Sequence, residues 1–432
     1  MMLSLLAAVP LAGSLFVPRL APGPARAAAS LAAALAFAIA AVAAASPGRD
    51  SLLPVLAVDE LNGLLLPFVA LLFGAALLAT PRTDARPGAL GRLLLVEGLA
   101  LAFFACVDAT ALCVLWWLNL LPIELEARRL PRAERRGIRV ARVYLAASGL
   151  LFTAGVAAGS PLLLLAAIMI RKGIVPLHSW MPEWFATASL PAAVLFAVPQ
   201  LGTLAAARLI FPFAAGWILD VLGSAAVLTA LYAAGVALVQ RDGRRAFAWI
   251  FMSQSALVLA GLEGDSAAAL TGGLILWISS GLALGGFGLT LAILEARRGR
   301  VDLARHHGGH ESMPLVAASF LLLGLCSVGF PATLGFVGAE LLLDGTVSVH
   351  PLFGIAAAFA TVLNGISALR MYFLLFCGAR TRVDPALRLR LREHAAVALL
   401  AGLVVGCGLF PQPIVHSRSA AADRLMHARG SD

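Results

Sequence analysis

Lysine is nearly missing from this 432-residue chain: Lys172 is the only one, and every other basic residue is arginine. Charge of either sign is scarce, at 13% of residues, against a hydrophobic fraction of 61%. A soluble domain of this length has too little interior to hide that much apolar surface, so lipid must solvate the remainder. The five cysteines (Cys106, Cys113, Cys326, Cys377 and Cys407) lack pairing or ligand spacing and read as small apolar packing residues. No period-two alternation of apolar and polar residues occurs, which argues against a membrane β-barrel and for helices. Phosphate-binding loops, catalytic triads and metal-spaced clusters are also missing. His306, His307 and His310 come nearest, and clustered loop histidines without flanking Cys or Asp read as solvated. No cofactor and no metal is therefore expected.

What is present is a succession of apolar runs of roughly 17 to 25 residues, the length that crosses a bilayer as a helix. They fall near 3–20, 27–45, 61–80, 91–107, 109–126, 140–158, 162–177, 189–211, 215–239, 247–262, 268–294, 315–343, 353–377 and 395–411. The expectation is an all-α integral membrane protein of about fourteen helices, a single polytopic domain over 1–432. The first run has no basic flank and is read as a span, not a cleaved signal. The seventh run meets Gly173, Pro176 and Pro182, and the twelfth contains Gly329, Pro331, Gly335 and Gly338, so both are expected to be broken. Broken helices are tolerated at membrane depth where they line a polar cavity or pack on protein.

The net charge of +9 sits in the loops, where it sets topology and does not imply nucleic acid. Loops after odd-numbered runs hold Arg19 and Arg26, Arg82 and Arg86, Arg128 to Arg139, Arg241 to Arg245, Arg297 to Arg305, and Arg380 to Arg392; loops after even-numbered runs hold almost none. Odd loops should face the cytoplasm and both termini the opposite side, as in a multi-pass protein of the inner (cytoplasmic) membrane. The tail's Arg418, Arg424 and Arg429 run against this pattern.

Ionisable residues inside spans are costly unless paired or hydrated, and so carry the functional signal. They are Glu97, Asp108, Arg171, Lys172, Arg208, Glu340 and Arg370. Lys172 stands out because a desolvated lysine can release its proton, whereas arginine effectively cannot. The alternative is an anchoring cation near a helix break. Glu97 and Asp108 read equally well as helix-end pairing groups.

Lys172 lies in Arg171-Lys172-Gly-Ile-Val-Pro176-Leu-His178-Ser-Trp180-Met-Pro182. This stretch resembles the K-x-x-x-x-P-x-H-x-W-L-P segment of the antiporter-like subunits of respiratory complex I and of multi-subunit cation/proton antiporters. Leu93 to Pro122, Ala237 to Trp249, Met313 to Gly338 and Arg370 to Gly378 resemble further segments of the family, collinear from about residue 55 to 380. The resemblance implies two inverted five-helix repeats centred on broken helices seven and twelve, near 91–262 and, in part, 263–380. It also implies a midplane proton path: a Glu–Lys pair between helices five and seven, a Lys or His on helix eight, and ionisable groups through helices eleven and twelve. This sequence departs at nearly every such position. Trp117 stands for the glutamate, Arg171 for the lysine, Gln200 for the helix-eight lysine, Ser280 for the helix-eleven histidine, and Ala339 for the helix-twelve acid, with Glu340 one place on.

The candidate path residues are accordingly Lys172, Arg171, Glu97, His178, Gln200, Ser280 and Glu340, with Glu97 the candidate partner of Lys172. Gln200 and Ser280 also suit interhelical hydrogen bonding. The resemblance implies a membrane subunit of a hetero-oligomeric complex that translocates protons or cations with other membrane and peripheral subunits. As an enzyme component it would be at most a non-catalytic subunit of a proton-translocating oxidoreductase. The short stretch after the last run suggests a shorter middle subunit without a lateral helix. Two other readings stay open: the membrane subunit of an inorganic-carbon uptake complex, and an anchor that has lost conduction.

Overall fold

A computed structural model describes residues 1–82, 84–262, 266–378 and 390–430. Arg380, Arg382 and Arg388 of the odd-loop set, and the ends of the expected second repeat, lie outside the described residues.

Among the described residues the chain is helical apart from a two-residue antiparallel strand pair, Gly48–Arg49 against Ala57–Val58. Helices α1 (Met2–Phe16), α2 (Pro22–Ala44), α3 (Leu65–Ala79) and α4 (Pro87–Ala105) pack as neighbours, α1 on α4 and α2 on α3. Next come α5 (Ala109–Leu118), α6 (Leu121–Arg129), α7 (Arg136–Ala158), α8 (Pro161–Lys172), α9 (Trp180–Thr187), α10 (Leu190–Ala197) and α11 (Leu201–Leu209). The remainder is α12 (Gly216–Val239), α13 (Gly243–Ala260), α14 (Ala267–Arg298), α15 (Pro314–Ser327), α16 (Leu334–Val349), α17 (Pro351–Phe376), α18 (Leu391–Leu409) and α19 (Gln412–Gly430). Proline opens α2, α4, α8, α10, α15 and α17, where its missing N–H costs nothing and its fixed φ suits a first turn. Asp108 and Asp242 cap α5 and α13 through the amides of Ala111 and Arg245. Asp108 is thus a helix cap.

Ten helical segments among the described residues are long and apolar enough to cross a membrane, with α3 and α15 shorter and equally apolar. The outer face of α17 carries Leu352, Ile355, Phe359, Val362, Ile366 and Phe373, all exposed at helical spacing. Such an apolar stripe suits lipid or the apolar face of another subunit.

The centre is α14, whose apolar window is buried throughout. Small residues let its neighbours close on it: a Cβ at Gly272 would stand 2.3 Å from the amide nitrogen of Leu342, and one at Gly345 2.3 Å from that of Ala269. Backbones crossing this tightly are characteristic of helix packing in membranes, where van der Waals contact must replace the hydrophobic drive.

The expected breaks fall between α8 and α9 and between α15 and α16. Two more interrupt runs that the sequence suggested were continuous. Run 109–126 divides at Asn119–Leu120 into α5 and α6, and run 189–211 divides before Leu201, where Gln200 takes a left-handed conformation (φ 59°, ψ 55°) after Pro199. Proline disfavours helix in the residue before it and cannot donate to the preceding turn, which explains the second break.

The tail is also corrected. It forms α19, packed on α14, and Arg418 is fully buried, donating to the carbonyls of Leu61 and Glu60, each at 2.8 Å. Burial lowers its guanidinium toward about 10, opposed by nearby Asp59. Arg424 pairs with Glu60. Arg418 and Arg424 thus dock the tail helix on the segment before α3.

Candidate functional site

The site grows from the end of α8. Gly173 adopts φ 69°, which only glycine does without steric cost, and stops the helix directly after Lys172. The amides of Gly173 and Ile174 bond back to the carbonyls of Ile170 and Met169, and the Trp180 indole donates to Ile170 O at 2.7 Å. The amide of Val175 is met by Thr229 Oγ1 at 3.0 Å. The broken backbone is therefore satisfied by protein, as membrane depth requires.

The break delivers Lys172 to the second break, at Gln200. Its Nζ donates to Gln200 Oε1 at 2.6 Å and to Thr203 Oγ1 at 2.7 Å, with all three side chains buried. Ser255 on α13 donates to the same Gln200 oxygen at 3.3 Å. Gly202 makes the approach possible, since a Cβ there would lie 2.8 Å from Lys172 Cγ. A lysine held by neutral oxygens, with no carboxylate fixing its charge, is chemically able to take and release a proton.

The expected Glu97–Lys172 pair does not form. Glu97 is buried in the middle of α4 and, among the described residues, neither carboxylate oxygen is hydrogen-bonded or ion-paired. It is not a helix-end pairing group either. Arg171, next to Lys172, lines the same small cavity, and its guanidinium lies 4.5 Å from the Phe196 ring centre and 5.4 Å from that of Trp116. Trp117, in the family's glutamate position, faces outward and donates to Thr153 Oγ1 at 2.9 Å. Its neighbour Trp116 is the one turned inward, stacked on Phe152 at 4.3 Å.

The remaining candidates separate. His178 sits in the turn after the break, half-buried against Tyr232 and Trp249, with Nδ1 unpartnered. Ser280 is buried, but its hydroxyl turns back onto Trp277 O of its own helix at 3.4 Å, so it makes no interhelical bond. Glu340 lies on the exposed side of α16, outside the buried cluster. Only Gln200 joins Lys172 directly.

The pattern reading missed three consecutive residues, Ser253, Gln254 and Ser255, in the middle of α13. Ser255 reaches Gln200 on one side, while Ser253 accepts from Asn364 Nδ2 at 2.7 Å on α17 and donates to Ala230 O. Gln254 Nε2, Asn364 Oδ1 and Ser367 Oγ, all buried, have no partner. Gln254 also lines a small cavity at Gly329 and Ala339, beside the α15–α16 break. Neutral polar side chains thus form a seam of two clusters on different faces of α13, one at Gln200 and Lys172 and one at Asn364 of α17. A Ser-Gln-Ser run inside an apolar span was the available signal, obscured by attention to charge alone.

On the arginine-rich side a cavity of ≈ 350 Å³ is walled by Asp84, Glu126, Arg129, Arg244, Glu295 and Arg300. Glu126 is buried, accepts from the Ser189 amide at 2.8 Å ahead of α10, and pairs with Arg129 at 3.1 Å. Arg244 pairs with Glu295 at 2.7 Å. A second cavity shares Glu126 and Arg129 and continues along Leu93 and Val96 of α4, one residue short of Glu97. Among the described residues no three His, Cys, Asp or Glu side chains are grouped to hold a metal ion.

The chain is similar to known membrane subunits in sequence and fold. The family profile described as NADH:quinone oxidoreductase/Mrp antiporter, transmembrane, matches residues 145–364, from α7 to α17. A curated relative, NADH-quinone oxidoreductase subunit M of Pseudomonas aeruginosa, is 28% identical over 260 residues, covering 59% of this chain and 51% of its own length. The chain thus spans about half the length of the curated relatives it matches. A chain of respiratory complex I from Thermus thermophilus has the same fold, with TM-score 0.89 and 24% identity over 99% of this chain and 100% of that one. A chain of the Mrp complex from Dietzia superposes with TM-score 0.83 at 18% identity, over 98% and 97% of the two chains.

Proposed function

Since the chain belongs to the NADH:quinone oxidoreductase/Mrp antiporter transmembrane family, we propose that it is an antiporter-like membrane subunit of a hetero-oligomeric complex, translocating protons with energy supplied by partner subunits. The observation that carries this reading is the junction of two broken helices at Lys172, whose ammonium meets Gln200 and Thr203 in the buried core. The polar seam through Ser255, Ser253 and Asn364 continues from it and can order water between hydroxyls and amides. The cavity at Glu126 supplies a polar entrance on the arginine-rich face. In this reading the chain crosses the inner membrane fourteen times, as two inverted five-helix repeats, with its arginine-rich loops cytoplasmic and both termini opposite.

One observation favours a second reading, an anchor without conduction. Apart from Lys172, no side chain in the seam from Gln200 to Ser367 changes charge, and Ser280 and Glu340 stand apart from it. The two readings separate in purified complex reconstituted into vesicles. Asn364→Leu cuts the seam without touching Lys172. Proton uptake reduced several-fold with all subunits retained supports conduction; unchanged uptake in this variant supports the anchor.

A further inference from the structure

The cavity beside Lys172 is lined with hydrogen-bond donors that have nothing to bind. Its walls are Arg171, Lys172, Gln200 and Ser255, closed by the apolar side chains of Trp180, Phe196 and others. Both terminal nitrogens of Arg171 and the Nε2 of Gln200 have no partner, although Arg171 is 94% and Gln200 97% buried by their 6% and 3% exposures. Lys172 keeps a third N–H beyond its two bonds. Gln200 Oε1, the amide's only acceptor, already receives Lys172, Thr203 and Ser255. Among the described residues, neither cation is paired with a carboxylate. Burying cations without counter-charge is strongly unfavourable, and aromatic faces against Arg171 offset only part of that cost.

We propose that this cavity binds one small monovalent anion of halide size, held by Arg171, Lys172 and the Gln200 amide. The ion supplies the counter-charge that no side chain provides here. Size sets the ligand class. The space for the centre of a water-sized sphere is ≈ 10 Å³, about enough for one water. Chloride, larger than water but a single sphere, requires the lining side chains to move outward; polyatomic anions such as sulfate and hydrogencarbonate are larger still and are excluded. The anion site does not depend on proton movement: it follows from unpaired donors and holds whether the chain conducts or only anchors.

Equilibrium binding of radiolabelled chloride to the purified complex in gluconate buffer tests it without any transport assay. The wild-type complex should show a saturable site from which bromide, and not sulfate, displaces the label. Arg171→Met should weaken that site at least about tenfold, the loss expected for one charge-assisted hydrogen bond. Gln200→Glu is nearly isosteric and installs the counter-charge covalently, so it should abolish the site even if the arginine variant does not assemble. Wild-type complex with no bromide-sensitive chloride, or Gln200→Glu complex binding as much chloride as wild type, overturns the proposal.

Discussion

Lys172 passes over Gly202 so closely that an added Cβ would stand 2.8 Å from Lys172 Cγ and 3.1 Å from Cδ. The stem of the lysine is thereby confined between α8 and α11, and its Nζ is aimed at the second helix break. Gly202→Ala forces the stem aside, and overpacking of this kind costs about 1–3 kcal/mol. The expected outcome is an assembled complex with a modestly lowered unfolding temperature and proton uptake reduced several-fold. Gly402, where a Cβ meets nothing within 4 Å, is the control; Gly402→Ala should leave both measurements unchanged.

Arg418 ties α19 to the loop before α3 through the carbonyls of Glu60 and Leu61. Arg418→Met keeps the stem and removes both bonds, leaving two carbonyls to be resatisfied. Charge-assisted bonds of this kind are worth about 1.5–3 kcal/mol each, enough to undock a helix about half of whose residues are polar. Limited proteolysis should then cut ahead of α19 at protease levels that leave the wild-type chain intact. Equal resistance of the two chains would mean that α19 is held by its apolar contacts alone.

The loop arginines predict a sidedness, with Arg49 and the tail's Arg424 outside the pattern. In a cysteine-free background, single cysteines at Ala133 and Arg241, both exposed, should react with an impermeant thiol reagent only from the cytoplasmic face. A cysteine at Ala267, the exposed start of α14, should react only from the other side. Reversed labelling would invert the orientation, and labelling of 133 and 241 from different faces would change the number of crossings.

Much of the fold was legible because hydrophobic run length and proline or glycine breaks are local properties of the chain. Each apolar run contains a helix, and Gly173 ends α8 where its conformation requires. The break at Gln200 was less visible: Pro199 marked it, but an apolar run on both sides disguised it. The site was only half legible. Lys172 could be singled out as the lone lysine, and Gln200 by its place in the family pattern. Their meeting depends on two breaks facing each other, which no spacing encodes. Glu97 as its partner was a depth argument, and depth along the membrane does not fix the direction around a helix axis. Ser253 to Ser255 escaped because hydroxyls and amides in a span are individually unremarkable. Only their contacts with Gln200 on one side and Asn364 on the other connect them.

The central claim is that Lys172 carries the proton at the junction of the two breaks, and a single comparison tests it. Wild-type, Lys172→Met and Lys172→Arg complexes are reconstituted into vesicles, energised through their partner subunits, and followed with a pH-sensitive dye. Methionine keeps the length and apolar stem without the titratable group, and arginine keeps a charge that cannot leave. Both variants should assemble with full subunit content, the methionine variant losing proton uptake and the arginine variant retaining only a small fraction. Uptake at the wild-type rate in an assembled Lys172→Met complex would contradict the account and leave Lys172 as an anchoring cation.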